Sequence, residues 1–144
     1  MIKVLFVCVH NSARSQMAEA FANKLGQGKV IAFSAGLEPG KLNPVAVEVM
    51  KERGIDISNN KTKSVFDFYK SGNRYHYVIT VCDQTSGEKC PIFPGVNERL
   101  HWSFEDPASF TGSNEEVLEK TRRVRDEIEL KVSSWLKEIL QANG

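Results

Sequence analysis

KVLFVCVHNSARSQMAEAF, running from Lys3 to Phe21, changes character twice within nineteen positions. Lys3–Val9 is a continuous apolar run rich in Val, Leu and Phe, the pattern of a strand buried on both faces of a parallel sheet. Met17, Ala18, Phe21, Ala22 and Leu25 then recur at helical spacing, and Gly26 is placed to end that helix. CVHNSARS, Cys8 to Ser15, joins the two with small and polar residues. A strand that passes at once into a helix is the opening of an α/β unit.

The rest of the chain repeats the alternation. Val30–Ser34 reads as a second strand, closed by Gly36 and Pro39. Asn43-Pro44 supplies a cap and a first-turn proline for a helix that runs to about Arg53 and stops at Gly54. A short helix is expected over Ser64–Tyr69, a strand over Tyr75–Val81 ending at Cys82, and a last strand near Arg99–Trp102. Ser113-Asn114-Glu115-Glu116 has the form of a capping box. It opens a long helix with Val117, Leu118, Thr121, Val124, Ile128, Val132, Trp135 and Ile139 on one core-facing stripe. The expected fold is α/β: a single domain over residues 1–144, with a doubly wound, four-stranded parallel sheet flanked by helices.

Composition narrows the function classes. The 144 residues are 41% hydrophobic and 26% charged, an ordinary globular balance with enough length for a real core. A net charge of +1 favours neither nucleic acid nor a membrane surface as partner, so anion specificity must come from a local site. No apolar run approaches a membrane span, and Met1–Val9 lacks the flanks of a signal peptide. Three cysteines, an odd number, argue against a purely structural disulfide framework. The cytoplasm is the expected compartment, where such cysteines are more often catalytic, redox-active or metal-binding.

The chemistry collects at Cys8–Ser15. In an open parallel sheet, ligands gather beyond the carboxyl ends of the strands. Cys8 falls at such an end, and the helix after it brings about half a positive charge at its N-terminus. The loop amides can turn inward as a cradle for a tetrahedral oxyanion, to which Arg14 adds a two-pronged contact. The same field favours the thiolate of Cys8, and Ser15 can donate a hydrogen bond to its sulfur. The competing reading is a cysteine that merely ends a strand as a small buried hydrophobe. The strand before it, the helix after it, Asn11 and Ser15 favour the nucleophile.

Cys8-x5-Arg14-Ser15 at a strand–helix junction resembles the low-molecular-weight protein tyrosine phosphatase fold. The longer CVHNSARSQMAEAF resembles the thioredoxin-coupled arsenate reductases built on that fold. The resemblance extends through SAG at Ser34–Gly36, the strand ending at Cys82, HWSFEDPA at His101–Ala108 and RVRDEI at Arg123–Ile128. It implies that Cys8 is the nucleophile, Arg14 the oxyanion clamp and Asp106 an acid on a facing loop, with Ser15 in support. Oxyanion binding is then expected from His10, Asn11, Ser12, Ala13 and Arg14. Phosphatases of the family usually carry Pro after the arginine–serine pair and an aromatic after Asp-Pro; this chain has Gln16 and Ala108. Many relatives also have a second cysteine where Ala13 stands.

Asp106-Pro107 by itself reads as a turn, but its place after the last strand puts it on the ligand side of the sheet. His101 and Trp102 are expected to pack and position. His10 is expected to be structural, with a charge able to tune oxyanion binding.

Cys82 ends a strand, and Cys90 follows after the seven polar residues DQTSGEK, which read as a mobile loop. If that strand neighbours the first, Cys82 and Cys8 emerge at the same sheet edge, on strands about 4.8 Å apart. That placement permits a relay in which Cys82 attacks the sulfur of Cys8, and Cys90 attacks Cys82 in turn; the competing reading is that Cys82 and Cys90 are simply buried. Zinc held by Cys8, His10, Cys82 and Cys90 is disfavoured by the wide Cys82–Cys90 gap. Some reductases of this type bind potassium through residues matching Asn11, Glu19 and Ser34. Lys63 falls near the place of an acidic ligand, so no metal is expected.

These readings converge on an arsenate reductase that takes electrons from three cysteines and then from thioredoxin, as a monomer without a cofactor. The alternatives are a low-molecular-weight phosphatase, in which water resolves the Cys8 adduct, and a non-catalytic oxyanion- or redox-sensing module.

Overall fold

A computed structural model describes residues 1–72, 74–82 and 98–142. The elements are β1 (Ile2–Cys8), α1 (Arg14–Leu25), β2 (Val30–Gly36), α2 (Pro44–Lys51), α3 (Val65–Lys70), β3 (Tyr77–Thr80), β4 (Glu98–His101) and α4 (Asn114–Ala142). One turn of 3-10 helix, Pro107–Ser109, lies between β4 and α4. The sheet order is β2-β1-β3-β4, with every neighbouring pair parallel. This is the doubly wound α/β sheet expected from the alternation of strands and helices.

β1 carries the sheet because it pairs on both sides. Ile2–Cys8 runs in register with Val30–Gly36, and Val4–Val7 with Tyr77–Thr80. Both faces of β1 are covered, and Val4, Leu5, Phe6 and Val7 are fully buried. On one face Val4, Phe6 and Cys8 join Met17 and Phe21 of α1, Val49 and Met50 of α2, and Ile128 and Val132 of α4. On the other, Leu5 and Val7 join Ala35, Val65, Tyr75 and Val78. Truncating Phe6 to Ala in so closed a core would cost about 3–5 kcal/mol.

Local signals explain the ends of the elements. Asn43 caps α2, its Oδ1 accepting from Val45 N and Ala46 N at 2.9 and 3.2 Å. Ser113 and Glu116 form the reciprocal capping box at α4. Some details differ from expectation. β2 continues to Gly36, which pairs with Cys8. β3 spans only Tyr77–Thr80. Leu25, which helical spacing puts on one face with Met17 and Phe21, is 46% exposed at the last position of α1. Gly36 itself is required by close approach: a Cβ there would stand 2.8 Å from Asn11 N and from Val9 O.

α4 is fixed at two places. Trp135 stacks edge-on against Tyr77 and Trp102, with centroids 5.1 and 5.6 Å apart, and Trp102 also meets Phe6 at 5.9 Å. These contacts anchor the chain just beyond β4, from which the segment leading to Asp106 departs. Near the middle of the helix, buried Arg125 donates to Val49 O at 3.0 Å and to Glu52 Oε1 at 2.8 Å. Arg122 also bonds Glu52, and these contacts hold its carboxyl below the usual carboxylate range, Arg122 foremost.

Candidate active site

β1 ends at Cys8 and α1 begins at Arg14, so the five residues between them must turn the chain through a tight loop. Asn11 makes that turn with φ 54°, a left-handed conformation that Asn tolerates better than most residues. The turn aims Asn11 N–H at Cys8 Sγ, 3.1 Å away. Ser15 Oγ lies 2.8 Å from the same sulfur and accepts from Asn11 Nδ2 at 2.7 Å. Cys8, Asn11 and Ser15 are all buried. The sulfur thus has one backbone donor and one hydroxyl partner within hydrogen-bond distance.

α1 opens above that sulfur with no side chain capping it, since Ala13 stands at the cap position and the first turn holds no acidic residue. The helix dipole there favours an anion. Arg14 is 2% exposed and reaches across to the loop after β4, with Nη1 donating to Phe104 O at 3.2 Å. Its Nη2 lies 3.5 Å from Asp106 Oδ2. Asp106 is at once a turn residue and a site residue. Oδ1 accepts from Ala108 N at 3.0 Å and caps the 3-10 turn, leaving Oδ2 directed at the arginine.

The remaining loop residues divide. His10 is exposed and its Nδ1 pairs with Glu38 O at 2.9 Å, holding the loop to the chain after β2. Ser12 is half-buried, and its carbonyl accepts from Asn43 N. Trp102 packs in the core, whereas His101 is exposed and pairs with Thr80 Oγ1 at 2.6 Å.

Cys82 follows β3, the strand beside β1, as the relay reading requires. Val81 N donates to Val7 O at 2.9 Å, so Val81 stands level with Cys8 and joins its buried cluster. Cys82 lies one residue further along and is fully buried. Cys90 and the 83–89 segment lie outside the described residues.

Two of the residues that match potassium ligands, Glu19 and Ser34, meet each other, and Lys63 joins them. Glu19 accepts from Ser34 Oγ at 3.1 Å, and Lys63 Nζ stands 3.6 Å from the same carboxylate. Burial pushes the Glu19 carboxyl above its usual range, against the pull of Lys63 and Ser34. The ammonium supplies the positive charge this carboxylate needs, so the donor set does not fit a metal ion as well.

Gln16 is the residue whose place in the site the sequence reading missed. It stood out only as a departure from a usual proline, yet it is fully buried and bonds Asn11, Asn60 and Lys61. No local pattern marks it, because Asn60 and Lys61 lie more than forty positions away along the chain.

Comparison with known proteins identifies the family. Residues 3–143 match the family described as low molecular weight phosphotyrosine protein phosphatase. An arsenate reductase of Bacillus subtilis (strain 168) is 44% identical over 125 residues, covering 87% of this chain and 88% of that protein. One from Halalkalibacterium halodurans is 39% identical over 132 residues, covering 92% and 93%. A solved structure described as an arsenate reductase in the phosphate binding state superposes with a TM-score of 0.80 at 36% identity, over 96% of this chain and 99% of that one. The thioredoxin-dependent arsenate reductase of Corynebacterium glutamicum gives 0.73 at 31% identity, over 99% of this chain and 63% of that one. The chain belongs to the low molecular weight phosphotyrosine protein phosphatase family, among that family's arsenate reductases.

Proposed function

We propose that the protein reduces arsenate to arsenite, using Cys8 as nucleophile and thioredoxin as the final reductant. The observation that carries the reading is the pair of contacts on Cys8 Sγ, from Asn11 N and Ser15 Oγ, beneath the open N-terminus of α1. That arrangement serves a thiolate attacking a tetrahedral anion held by amides and Arg14. The names of the relatives supply arsenate as the anion and thioredoxin as the partner.

Cys8 thiolate attacks arsenic(V) and an oxygen leaves as water, protonated by Asp106. Cys82 thiolate then attacks Cys8 Sγ. The electron pair of the sulfur–arsenic bond stays on arsenic, which departs as arsenite, and a Cys8–Cys82 disulfide remains. Cys90 attacks Cys82 and returns Cys8 as a thiolate. Thioredoxin reduces the Cys82–Cys90 disulfide with two electrons. Phosphate shares the shape and charge of arsenate, so the same cradle also accepts a small aryl phosphate for slow hydrolysis that needs no second thiol.

Arsenate-dependent NADPH oxidation in the presence of thioredoxin and its reductase tests the proposal. The full chain should turn over and its Cys8→Ser variant should not, because a hydroxyl does not ionise as a thiol does. Turnover retained by Cys8→Ser, or an inactive full chain, would overturn it.

A further inference from the structure

Asn11 is the hinge of the cradle, because it supplies one donor to Cys8 through its backbone and steers the other, Ser15, through its side chain. What holds Asn11 lies outside the cradle. Its Oδ1 accepts two hydrogen bonds, from Lys63 N and from Gln16 Nε2, each 3.0 Å long. Gln16 Nε2 donates its second hydrogen to Lys61 O at 3.0 Å, and Gln16 Oε1 accepts from Asn60 Nδ2 at 3.1 Å.

The polarity of this chain follows from two backbone groups. Lys61 C=O only accepts, so the NH2 end of Gln16 must face it, and the other hydrogen of that NH2 goes to Asn11. Lys63 N–H only donates, so the oxygen of Asn11 must face it and the Asn11 NH2 must face Ser15. Ser15 Oγ accepts that bond, which leaves its own proton for Cys8 Sγ. Each bond polarises the next, so the orientation set at residues 60–63 is delivered at the sulfur.

We infer that Gln16, anchored by Asn60 and Lys61, is a positioning residue for the Cys8 thiolate. It acts by locking Asn11 in its left-handed turn with the amide oriented so that Ser15 donates to the sulfur. A proline at position 16, usual in the phosphatases this chain resembles, could make none of these side-chain bonds. The inference rests on the reading of Cys8 as nucleophile, and its test does not depend on arsenate turnover.

The test uses the full chain carrying Cys82→Ser and Cys90→Ser, so that iodoacetamide alkylation, followed by intact mass, reports Cys8 alone. Gln16→Met keeps the side-chain length and removes every hydrogen bond. Its alkylation profile should move to higher pH by about half to one unit, a fraction of the effect of losing a direct hydrogen bond to the thiolate. Asn60→Ala, which removes only the outer anchor, should move it the same way by less, and it serves if Gln16→Met does not fold. Val30→Ala, buried at the end of the sheet where it pairs with Ile2, opposite the end that carries Cys8, controls for general loosening and should leave the profile in place. In chains with all three cysteines, kcat for arsenate should fall more than KM rises. A folded Gln16→Met or Asn60→Ala with the parent alkylation profile would overturn the inference. The expected shift in a chain that does not reduce arsenate would instead sink the proposed function and leave this inference standing.

Discussion

Arg14 Nη2 stands 3.5 Å from Asp106 Oδ2, with 3% of the Arg14 side chain and 23% of the Asp106 side chain exposed. The guanidinium therefore faces two claimants, the carboxylate already beside it and the oxyanion the cradle is shaped to hold. On the proposed reading, an anion seated at the start of α1 would draw on the same fork and weaken its hold on Asp106. Binding of the substrate and readiness of the acid are thus coupled through one side chain.

That coupling predicts a split in the kinetics of Asp106→Asn. The amide oxygen still caps Ala108 N, so the 3-10 turn should survive with little loss of stability. The proton donor is gone, and kcat should fall by about 100-fold. Oxyanion affinity should hold or improve, because Arg14 no longer serves a competing negative charge. Steady-state kinetics with phosphate as competitive inhibitor measures both numbers. A proportional loss of kcat and phosphate affinity would remove Asp106 from the acid role.

Arg14→Lys separates charge from shape. Lysine keeps the charge but cannot bond Phe104 O and an oxyanion with one planar fork. KM for arsenate should rise and kcat should fall, together lowering kcat/KM by about 100-fold, the scale of losing one strong charge-assisted contact. Unchanged kinetics would show that the amides of the loop and α1 suffice.

Much of the site was legible because its parts are local. Cys8, Asn11, Arg14 and Ser15 lie within one strand–loop–helix junction, where periodicity alone brackets the loop. Asn43 and the Ser113–Glu116 box were readable for the same reason, since each cap bonds its own first turn. The contacts hidden from the sequence are those closed by the sheet order. Arg14 meets Phe104 and Asp106 across about ninety residues of chain, and Gln16 meets Asn60 and Lys61 over more than forty. Local patterns carry no information about which distant backbone carbonyl closes such a bond. Leu25 failed for another reason: helical spacing assigns a face, but not how far along the helix the neighbouring layer extends.

Lys63 and Glu19 give a pH-dependent prediction. Burial holds the Glu19 carboxyl above its usual range, with Lys63 and Ser34 pulling it back. A carboxyl that binds its proton more tightly when folded costs stability as pH rises from about 4.5 through its folded value. Lys63→Met removes the pull and raises the folded value further. The variant should be less stable by about 1 kcal/mol near pH 8, a modest figure because Lys63 is one-third exposed, and the loss should shrink towards pH 5. Adding Glu19→Gln should restore stability at pH 8. Denaturant melts at both pH values check this, and an equal loss at each would remove the charge argument.

The order of the thiols is the remaining prediction, and it follows from where β3 ends. Val81 is level with Cys8 on the adjacent strand, so Cys82 needs only a local shift of the chain past Val81 to bring its sulfur to Cys8. Exchange requires the attacking sulfur to line up with the bond it breaks, and proximity on neighbouring strands meets that condition for Cys82 first. Cys90→Ser should therefore release one arsenite per chain and stop as a Cys8–Cys82 disulfide. Cys82→Ser should stop earlier, with arsenic still on Cys8 until an external thiol releases it. The unaltered chain, quenched after one turnover without thioredoxin, should carry a Cys82–Cys90 bond and a free Cys8. Intact mass counts the bonds, and peptide mapping assigns them. A Cys8–Cys90 bond formed in Cys82→Ser at the normal single-turnover rate would reverse the order, because it would mean that the sulfur further along the chain reaches Cys8 without the strand-end thiol between them.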